Sequence, residues 1–337
     1  MKHTVIGMDI AKRVFQLHAV DPQTGEIERV KLRRDAVLSF FARRTPSLVA
    51  LEACGSAHYW ARELRILGHQ VRLLAPKSVR PFVRSNKTDA ADAQAIWTAV
   101  QQPEAHFVAV KTEQQQAVLA LHRMRAQLMK FRVMQTNALR GFLYEFGHVL
   151  PEGHRALQKA WPAALQALAE RLPGMLLDSL REQWARVQRT QEEIGAIERR
   201  LAATLSNSEP CQRIAVIPGI GLLTSTAAVA AIGDANSFRS GREFAAWVGL
   251  VPRQSGTGGR VRQLGLSKRG DTYLRTLFIH GARAVIARGK RSPWVDGLLK
   301  RRPYSVAVAA LANKLARIVW AVLARGRPYD NAAFHGV

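Results

Sequence analysis

The chain has 337 residues, 47% of them hydrophobic, so it is long enough to bury a large core and to form two or three domains. Its 50 Lys and Arg residues outnumber 25 Asp and Glu residues, and the net charge of +25 favours a polyanion, either nucleic acid or an anionic membrane surface. The two cysteines lie far apart, which excludes a disulfide framework and indicates a cytoplasmic protein. The first residues contain no apolar signal core, so no secretory segment is expected.

Residues 1–112 have the pattern of an α/β domain. The predicted elements are strands over 4–10, 13–20 and 48–52, a helix over 57–68, a strand over 70–76 and a helix beginning near residue 89. This order suits a ribonuclease-H-like layered fold with a site at the strand ends. Pro76 and Pro81 bracket the approach to the last helix and predict a movable loop there.

Four acidic residues stand where this fold would place an active site. Asp9 and Glu52 end apolar strands, and Asp89 and Asp92 are three residues apart, which puts them on one helix face. Carboxylates are the ligands that Mg²⁺ prefers, and two such ions clamp the attacking and leaving oxygens in phosphodiester displacement. We therefore predict a two-metal phosphoryl-transfer site, with Lys87 as a basic neighbour. The alternative for single acids is a capping role, Asp9 in a turn and Asp89 at the helix start.

Residues 113–210 are predicted to be helical. A first long helix from about Glu113 combines an apolar stripe with basic residues, and prolines at 151, 162 and 173 predict a break. A second helix repeats apolar residues from Leu180 to Leu201 at three- or four-residue steps, which is typical of a coiled coil. Packing against the first helix within the chain is an equal alternative. Residues 206–210 are predicted to be a linker.

Residues 211–337 carry most of the charge, because twenty Lys and Arg residues stand against five Asp and Glu residues, a net charge of +15. The sequence IPGIG at 217–221 resembles a helix-hairpin-helix turn, in which Gly219 and Gly221 would let backbone N–H groups reach a phosphate. The alternative is an ordinary turn between packed helices. The apolar stretch near the C-terminus contains Lys314 and Arg317, so a buried helix is expected rather than a membrane span.

Between these two features, at 253–275, lies a glycine-rich basic segment. It is predicted to be a mobile loop that folds over a phosphate backbone. It offers Ser255 as a candidate nucleophile and Thr257 as a second one. The basic residues expected to bind nucleic acid are Arg253, Arg260, Arg262, Lys268 and Arg269. No His lies beside Ser255, so a hydrolase triad is not supported, and metal or arginine would have to activate the serine. A serine in such a segment is otherwise most often a turn residue.

With these motifs in hand, the chain resembles the DEDD transposases of insertion elements, the family related to the Piv invertase and known as bridge-RNA-guided recombinases. The motifs that carry the resemblance are IGMDIAK, ALEACG, NKTDAADA, PGIG, AAWVGLVPRQSG and SKRGD. Their ordered combination spans nearly the whole chain and is specific, although each motif alone is weak.

The resemblance implies an N-terminal RuvC-like domain over 1–112 whose acids bind Mg²⁺, with Mn²⁺ as a substitute. It also implies a coiled-coil region over 113–210 and a mostly α-helical transposase domain over 211–337 with a catalytic serine. Ser255 would attack DNA and form a phosphoserine intermediate, completed by the acids of another subunit of a dimer or tetramer. Donor and target DNA would be chosen by a noncoding guide RNA from the element, in a nucleoid-associated, non-membrane protein. The segment QSGTGG is shorter by one residue than in some members, so Thr257 stays the second candidate.

Three alternatives remain at the level of sequence. A RuvC-like junction nuclease would use water as the nucleophile and leave Ser255 structural. A sugar kinase or actin-like ATPase would use GMDIAKRVF as a phosphate loop, but the further glycine-rich loops that it needs are missing. A DNA-packaging protein would use the basic C-terminal third alone, which leaves the four acids unexplained.

Overall fold

The structure is a computed structural model in which the chain divides into two compact units. It describes residues 4–21, 23–83, 88–289 and 291–330. The first unit comprises Met1–Gln115 with Ile232–Arg239, and the second comprises Gln116–Ala231 with Ser240–Val337.

The predicted three-part division stays a prediction. Its first boundary, after residue 112, lies within three residues of the end of the first segment, whereas its second, after residue 210, falls inside the second unit. Lys87, the predicted basic neighbour of the acids, lies outside the described residues.

A six-stranded mixed sheet forms the centre of the first unit, which confirms the predicted α/β class. The strands are β1 (Val5–Ile10), β2 (Val14–Val20), β3 (Ile27–Arg33), β4 (Leu48–Glu52), β5 (Gln70–Leu74) and β6 (Phe107–Val108). They lie in the order β3-β2-β1-β4-β5-β6, with β1, β4 and β5 parallel and the remaining neighbours antiparallel. The helices are α1 (Val37–Ala42), α2 (Ala57–Ile66), α3 (Pro76–Val79) and α4 (Asp89–Val100).

Both faces of this sheet are covered, because alternate strand residues point to opposite sides. On one face Ile6 and Leu51 pack in a buried cluster with Trp60 of α2. On the other face Ala50 packs in a second cluster with Ile96 of α4. The central strands are therefore apolar on both sides, and helix α4 lies against the face opposite α2.

The sequence-based elements of this unit differ from the structure in two places. Strands β3 and β6 were not predicted, since β3 is a charged, mostly exposed edge strand and β6 has two residues. The passage from Pro76 to Pro81, predicted as a movable loop, is helical as far as Phe82, and both prolines occupy first-turn positions where a missing N–H costs nothing.

The second unit is mostly helical, and two 33-residue helices run through its first part. Its helices are α5 (Glu113–Glu145, which begins in the first unit), α6 (His154–Leu168), α7 (Gly174–Ser206), α8 (Glu209–Ala215), α9 (Leu222–Ile232), α10 (Gly241–Val248), α11 (Thr272–Ala287), α12 (Pro293–Arg301) and α13 (Tyr304–Arg325). The predicted break between the two long helices is confirmed, because α5 ends at Glu145 and α7 begins at Gly174, and the shorter helix α6 lies within it with Pro162 inside. The predicted linker at 206–210 is wrong, because Ser208 caps α8 two residues after α7 ends.

Helix α7 packs against α5 within the chain, which was one of the two alternatives for its apolar stripe. Ile197 and Leu201 share a buried cluster with Val118 of α5. Arg125 on α5 also forms an ion pair with Glu198 on α7 at 2.7 Å. Association of α7 between chains stays a prediction.

A buried histidine ties three helices of this unit together. His122 on α5 lies 3.0 Å from the hydroxyls of Tyr273 on α11 and Thr226 on α9. Thr226 donates its own proton to the carbonyl of Leu222, so its oxygen accepts from His122 Nε2 and the other ring nitrogen accepts from Tyr273. Burial, with a smaller effect of Arg125, lowers the pKa of His122 to about 4, which keeps this neutral tautomer at physiological pH.

Helix α13 is long and apolar enough to cross a membrane by length and composition alone. Its inward-facing residues, among them Leu311, Leu315 and Val319, are fully buried in the second unit. It is therefore a core helix of this unit, as the sequence predicted.

The glycine-rich segment predicted to be a mobile loop forms a β-hairpin. Strand β7 (Pro252–Thr257) pairs with β8 (Arg260–Leu266) in antiparallel register, and Gly258 and Gly259 make the turn with positive φ angles of 56° and 77°. Two consecutive residues with positive φ are what a two-residue hairpin turn of type I′ requires, and glycine adopts them without strain.

Candidate active site

Three of the four predicted acids come together in the first unit. Carboxylate oxygens of Asp9, Asp89 and Asp92 all lie within 4.8 Å of one another. Glu52 is outside that trio, but its charge contributes to raising the pKa of Asp9, so it lies within electrostatic reach. We call these four residues the acidic cluster.

The sheet explains why the two strand-borne acids point to the same place. Strands β1 and β4 are parallel neighbours with Met8 opposite Leu51, so Asp9 and Glu52 follow at the same edge of the sheet. Ala50 faces the cluster that contains α4, and Glu52, two residues later, points to that face too. Both carboxylates therefore extend toward helix α4.

Helix α4 supplies the other two acids from its first turn. Its cap is Thr88, whose hydroxyl accepts the backbone N–H of Ala91 at 3.3 Å. The capping alternative for Asp89 is therefore wrong, and so is the turn-capping alternative for Asp9, which lies within β1. Because threonine provides the cap, the carboxylates of Asp89 and Asp92 remain available as cation ligands. The positive end of the helix dipole favours their ionised form.

A glycine that the sequence analysis did not single out allows α4 to approach β1. A Cβ placed on Gly7 would lie 2.3 Å from the carbonyl oxygen of Ala93 and 2.6 Å from the nitrogen of Trp97, both in the α4 backbone. Gly7 points to the same face as Asp9, two residues later. The absence of a side chain at Gly7 thus sets the distance between the strand acid and the helix acids. Its signal in the sequence is the glycine in IGMD.

We expect Gly7→Ala to lower the free energy of unfolding by about 1–3 kcal/mol, because α4 backbone atoms cannot yield as a flexible side chain would. Thermal unfolding followed by circular dichroism measures the change. Gly55→Ala is the matched control, since a Cβ there meets no atom within 4 Å. Equal unfolding temperatures for the two variants would contradict the proposed close packing.

The acidic cluster disfavours its own ionisation. Burial, followed by the charges of Asp92, Asp89 and Glu52, raises the pKa of Asp9 to about 6, while a hydrogen bond from the Ile10 backbone N–H acts in the opposite direction. A cation among these oxygens would offset the repulsion. The donor set consists only of carboxylate oxygens, which fits a hard divalent cation such as Mg²⁺ or Mn²⁺ better than zinc.

We expect Asp9→Asn to stabilise the metal-free chain at pH 7.5. Because the folded-state pKa is raised, the stability associated with the protonated carboxyl is present below pH 4 and is lost as the pH rises through about 6. Asparagine carries no charge and avoids that loss. The gain is about 1–2 kcal/mol in the free energy of unfolding, a value that allows for the partial exposure of the Asp9 carboxyl. The measurement is the unfolding temperature in EDTA at pH 7.5 and pH 4.5, where the two chains should converge.

Glu104→Gln serves as the control for that comparison, because Glu104 is exposed and outside the acidic cluster. Added Mg²⁺ should raise the unfolding temperature of the wild type more than that of Asp9→Asn. A metal-free Asp9→Asn chain less stable than the wild type would refute the repulsion argument.

Ser255 and Thr257 lie on β7 of the hairpin in the second unit, and both are exposed. Ser255 is paired with Arg262 and Thr257 with Arg260. Directly paired residues share a face, and so do residues two apart on one strand. One face of the hairpin therefore carries both candidate hydroxyls and two guanidinium groups.

The five basic residues predicted to bind nucleic acid are all exposed. They are Arg253, Arg260, Arg262, Lys268 and Arg269. None of them forms an ion pair with any residue in the described ranges, so their charge faces solvent. Arg275, later in the same stretch, is different: it is buried and donates hydrogen bonds to the Val248 carbonyl and the Thr272 hydroxyl, each at 3.1 Å.

The two glycines of the predicted helix-hairpin-helix turn have different surroundings. Gly219, with a φ of 89°, packs against Gly281 of α11, and a Cβ there would lie 2.9 Å from the Gly281 carbonyl oxygen. A Cβ on Gly221 would meet nothing within 4 Å. Tight packing of this turn against α11 therefore accounts for Gly219, and phosphate binding by either glycine stays a prediction.

Carboxylates gathered at the edge of a mixed sheet, in a chain with an exposed basic hairpin, are typical of enzymes that act on nucleic acid. Comparison with known proteins agrees with this class. The family described as "Transposase IS116/IS110/IS902 family" matches residues 211–296, and the DEDD transposase family of IS110 type matches residues 6–147.

Several curated relatives resemble nearly the whole chain. A probable family 20 transposase of Pseudomonas aeruginosa is 48% identical over 330 residues, which cover 96% of this chain and 98% of that protein. The transposase for insertion sequence element IS1328 of Yersinia enterocolitica is 41% identical over 332 residues, 97% of this chain and 98% of that protein. A further relative matches part of the chain: a pilin gene-inverting protein of Moraxella bovis is 34% identical over 124 residues, 35% of this chain and 38% of that protein.

This chain belongs to the IS110/IS116 family of DEDD transposases. The predicted resemblance is thereby confirmed, including the relation to a DNA-inverting protein. Family membership also argues against the kinase and DNA-packaging alternatives, because neither catalyses DNA recombination.

Proposed function

We propose that this transposase cuts and rejoins DNA strands with a RuvC-like acidic site that holds Mg²⁺ and with Ser255 as the nucleophile. The observation that carries the proposal is the convergence of Asp9, Asp89 and Asp92, whose oxygens lie within 4.8 Å of one another. Such a convergence costs stability in the absence of a cation, so a function that uses one explains its presence.

The strand order supports the RuvC-like assignment of the first unit. Antiparallel β3, β2 and β1 continue into parallel β4 and β5, with acids at the ends of β1 and β4 and on helix α4. Asp9, Glu52, Asp89 and Asp92 would hold the metal. When bound, Mg²⁺, or Mn²⁺ in its place, would neutralise negative charge that develops on the phosphodiester oxygens.

Ser255 would perform the covalent step. Its Oγ loses a proton to solvent and bonds to phosphorus, and the bond from phosphorus to the leaving deoxyribose oxygen breaks as that oxygen takes up a proton. Rejoining reverses the step with the hydroxyl of another strand, which releases the serine. Arg262, paired with Ser255, and Arg260 on the same face supply positive charge for the phosphate oxygens.

Assembly and guidance complete the proposal. Ser255 is exposed, which suits a nucleophile whose site is completed by the acids of another subunit in a dimer or tetramer. A noncoding RNA from the element would select donor and target DNA by base pairing, and the broad basic surface of the protein would hold the phosphate backbones. The same charge supports association with the nucleoid.

The proposed activity can be tested in cells that carry the coding sequence with its native flanking DNA. Amplification across the junction of an excised circle should succeed for the wild type and fail for Asp89→Ala. Deleting the noncoding flanks while supplying the terminal DNA should abolish the product, and an RNA supplied in trans should restore it. Linear ends without a junction would favour the nuclease alternative, in which water is the nucleophile.

A further inference from the structure

A cavity of about 780 Å³ opens in the first unit beside the end of strand β1. Its walls combine four cations with two aromatic side chains, namely Lys12, Arg13, Arg33, Arg34, Tyr59 and Trp60. Asp35 is the acidic residue among its lining residues. The volume lies within the range of small-ligand sites, and the lining suits a ligand with both negative charge and an aromatic ring.

Most of the positive charge in this cavity is available. Lys12, Arg13 and Arg34 are exposed and form no ion pair with any residue that the structure describes. Arg33, by contrast, is paired with Asp35 at 3.1 Å. Three unpaired cations around one cavity repel one another, so an anion would be bound favourably there.

Arg34 is held in place from two sides. Its guanidinium lies 5.1 Å from the ring centre of Trp60 and 5.9 Å from that of Phe15. Its backbone N–H donates to the carbonyl of Arg13 at 2.9 Å, which joins the two basic segments of the wall. The cation is thereby oriented before any ligand arrives, which lowers the entropy cost of binding.

A buried donor in the wall lacks a partner. Trp60 is 3% exposed, and its indole N–H forms no hydrogen bond with any described residue. Buried donors are almost always satisfied, so a phosphate or base oxygen that reached this N–H would be bound favourably. Tyr59, next in the wall, is 38% exposed and offers a ring for stacking.

The cavity and the acidic cluster lie near the same end of β1 but on opposite faces of the sheet. Lys12 follows Asp9 by three residues, and three residues of chain span at most about 11 Å. Trp60 in the cavity wall packs on the α2 face, whereas the acids extend toward α4 on the other face. A strand whose scissile phosphate lies at the acidic cluster would therefore reach the cavity by passing around the end of β1.

We infer that this cavity binds one unpaired nucleotide, with its phosphate on Lys12, Arg13 and Arg34 and its base against Tyr59. The inference rests on the proposed function for the place of the scissile phosphate, whereas nucleotide binding itself does not depend on cleavage. DNA and RNA share the required chemistry, so the experiment must distinguish these two sources.

Photocrosslinking to single-stranded oligonucleotides of about 12 nucleotides, each with one 5-iodouracil, tests the inference on the full chain. The reaction is run in EDTA, so that no cleavage is needed, with matched DNA and RNA probes. Mass spectrometry should locate the adduct at Tyr59 or Trp60. An adduct with DNA alone or with RNA alone supports nucleotide binding in the cavity and identifies which nucleic acid supplies the nucleotide.

Variants then test the chemistry of the wall. Lys12→Ala combined with Arg34→Ala should reduce this adduct about tenfold. Tyr59→Leu removes one of the two adduct positions, so its lost stacking is measured instead as weaker binding of the same oligonucleotides by fluorescence anisotropy. Arg43→Ala is the matched control, because it removes an exposed positive charge of the same unit outside the cavity. Adducts formed only elsewhere, or a loss in the wall variants no larger than in Arg43→Ala, would overturn the inference. Circular dichroism verifies that each variant is folded.

Discussion

Replacing Ser255 by alanine is expected to abolish strand joining, with a loss of at least about a thousandfold in excised-circle junctions. The change removes the one atom that is proposed to bond to phosphorus, and it leaves the hairpin intact because Ser255 is exposed and pairs through its backbone. A second readout is direct: a suicide DNA substrate should trap wild-type protein as a covalent adduct that migrates slowly in denaturing gels. The alanine variant should give no such adduct.

Thr257→Ala is the matched comparison, because Thr257 lies on the same face of the same strand and is also exposed. It should retain junction formation within a few-fold of the wild type. If Thr257→Ala loses the adduct while Ser255→Ala keeps it, threonine is the nucleophile. Junctions without any protein–DNA adduct in either variant would instead assign the attack to water.

The central elements of the first unit were predictable because their apolar pattern is strong. Strands β1 and β4 are buried on both faces, so each appears in the sequence as a nearly continuous apolar run, whereas β5 alternates exposed polar and buried apolar residues over its first four positions. Strand β3 has no such signal, since an edge strand that faces solvent can carry charges along its length.

The hairpin was missed for the opposite reason. Its turn signal is present in the sequence, but the segment was predicted to be a mobile loop. Gly258 and Gly259 lie between two segments of six and seven residues, which is the spacing of a two-residue turn. Many arginines and glycines in that stretch suggest a loop by composition. The pairing of Ser255 with Arg262 follows only from the turn geometry.

The geometry of the acidic cluster was predictable only in part. A three-residue spacing is enough to place Asp89 and Asp92 on one helix face. The approach of that face to Asp9 depends on the contact between Gly7 and the α4 backbone, which is a tertiary contact without a local signal. The role of Thr88 as the helix cap, by contrast, could have been recognised, since threonine before a helical Asp is a common cap.

The cluster and the hairpin place different demands on the protein. Carboxylates that share a cation must be held at fixed distances against their mutual repulsion, and β1, β4 and α4 provide that rigidity. A nucleophile that must reach DNA needs exposure, which a two-stranded hairpin provides. The proposed chemistry therefore assigns the repelling charges to the edge of the rigid sheet and the adjoining turn of α4, and the attacking group to an exposed hairpin.

Asp92→Asn is expected to lower strand cleavage by about a thousandfold or more while DNA binding is retained. Among the charges that raise the pKa of Asp9, that of Asp92 has the largest effect, so its carboxylate interacts most strongly with that of Asp9. Asparagine preserves the size and one ligand oxygen but removes the negative charge that a divalent cation requires. The loss of several kcal/mol of metal-dependent stabilisation corresponds to that change in rate.

Binding should respond in the opposite direction to cleavage. Removing a negative charge near the phosphate backbone leaves affinity for DNA equal or slightly higher, measured by fluorescence anisotropy at several salt concentrations. Glu104→Gln, an exposed acid outside the acidic cluster, should leave cleavage unchanged and thereby exclude a general effect of charge. If Asp92→Asn cleaves as well as Glu104→Gln, the acidic cluster is not the metal site. If it loses binding and cleavage together, the acid acts on the fold or on the DNA rather than on the chemical step.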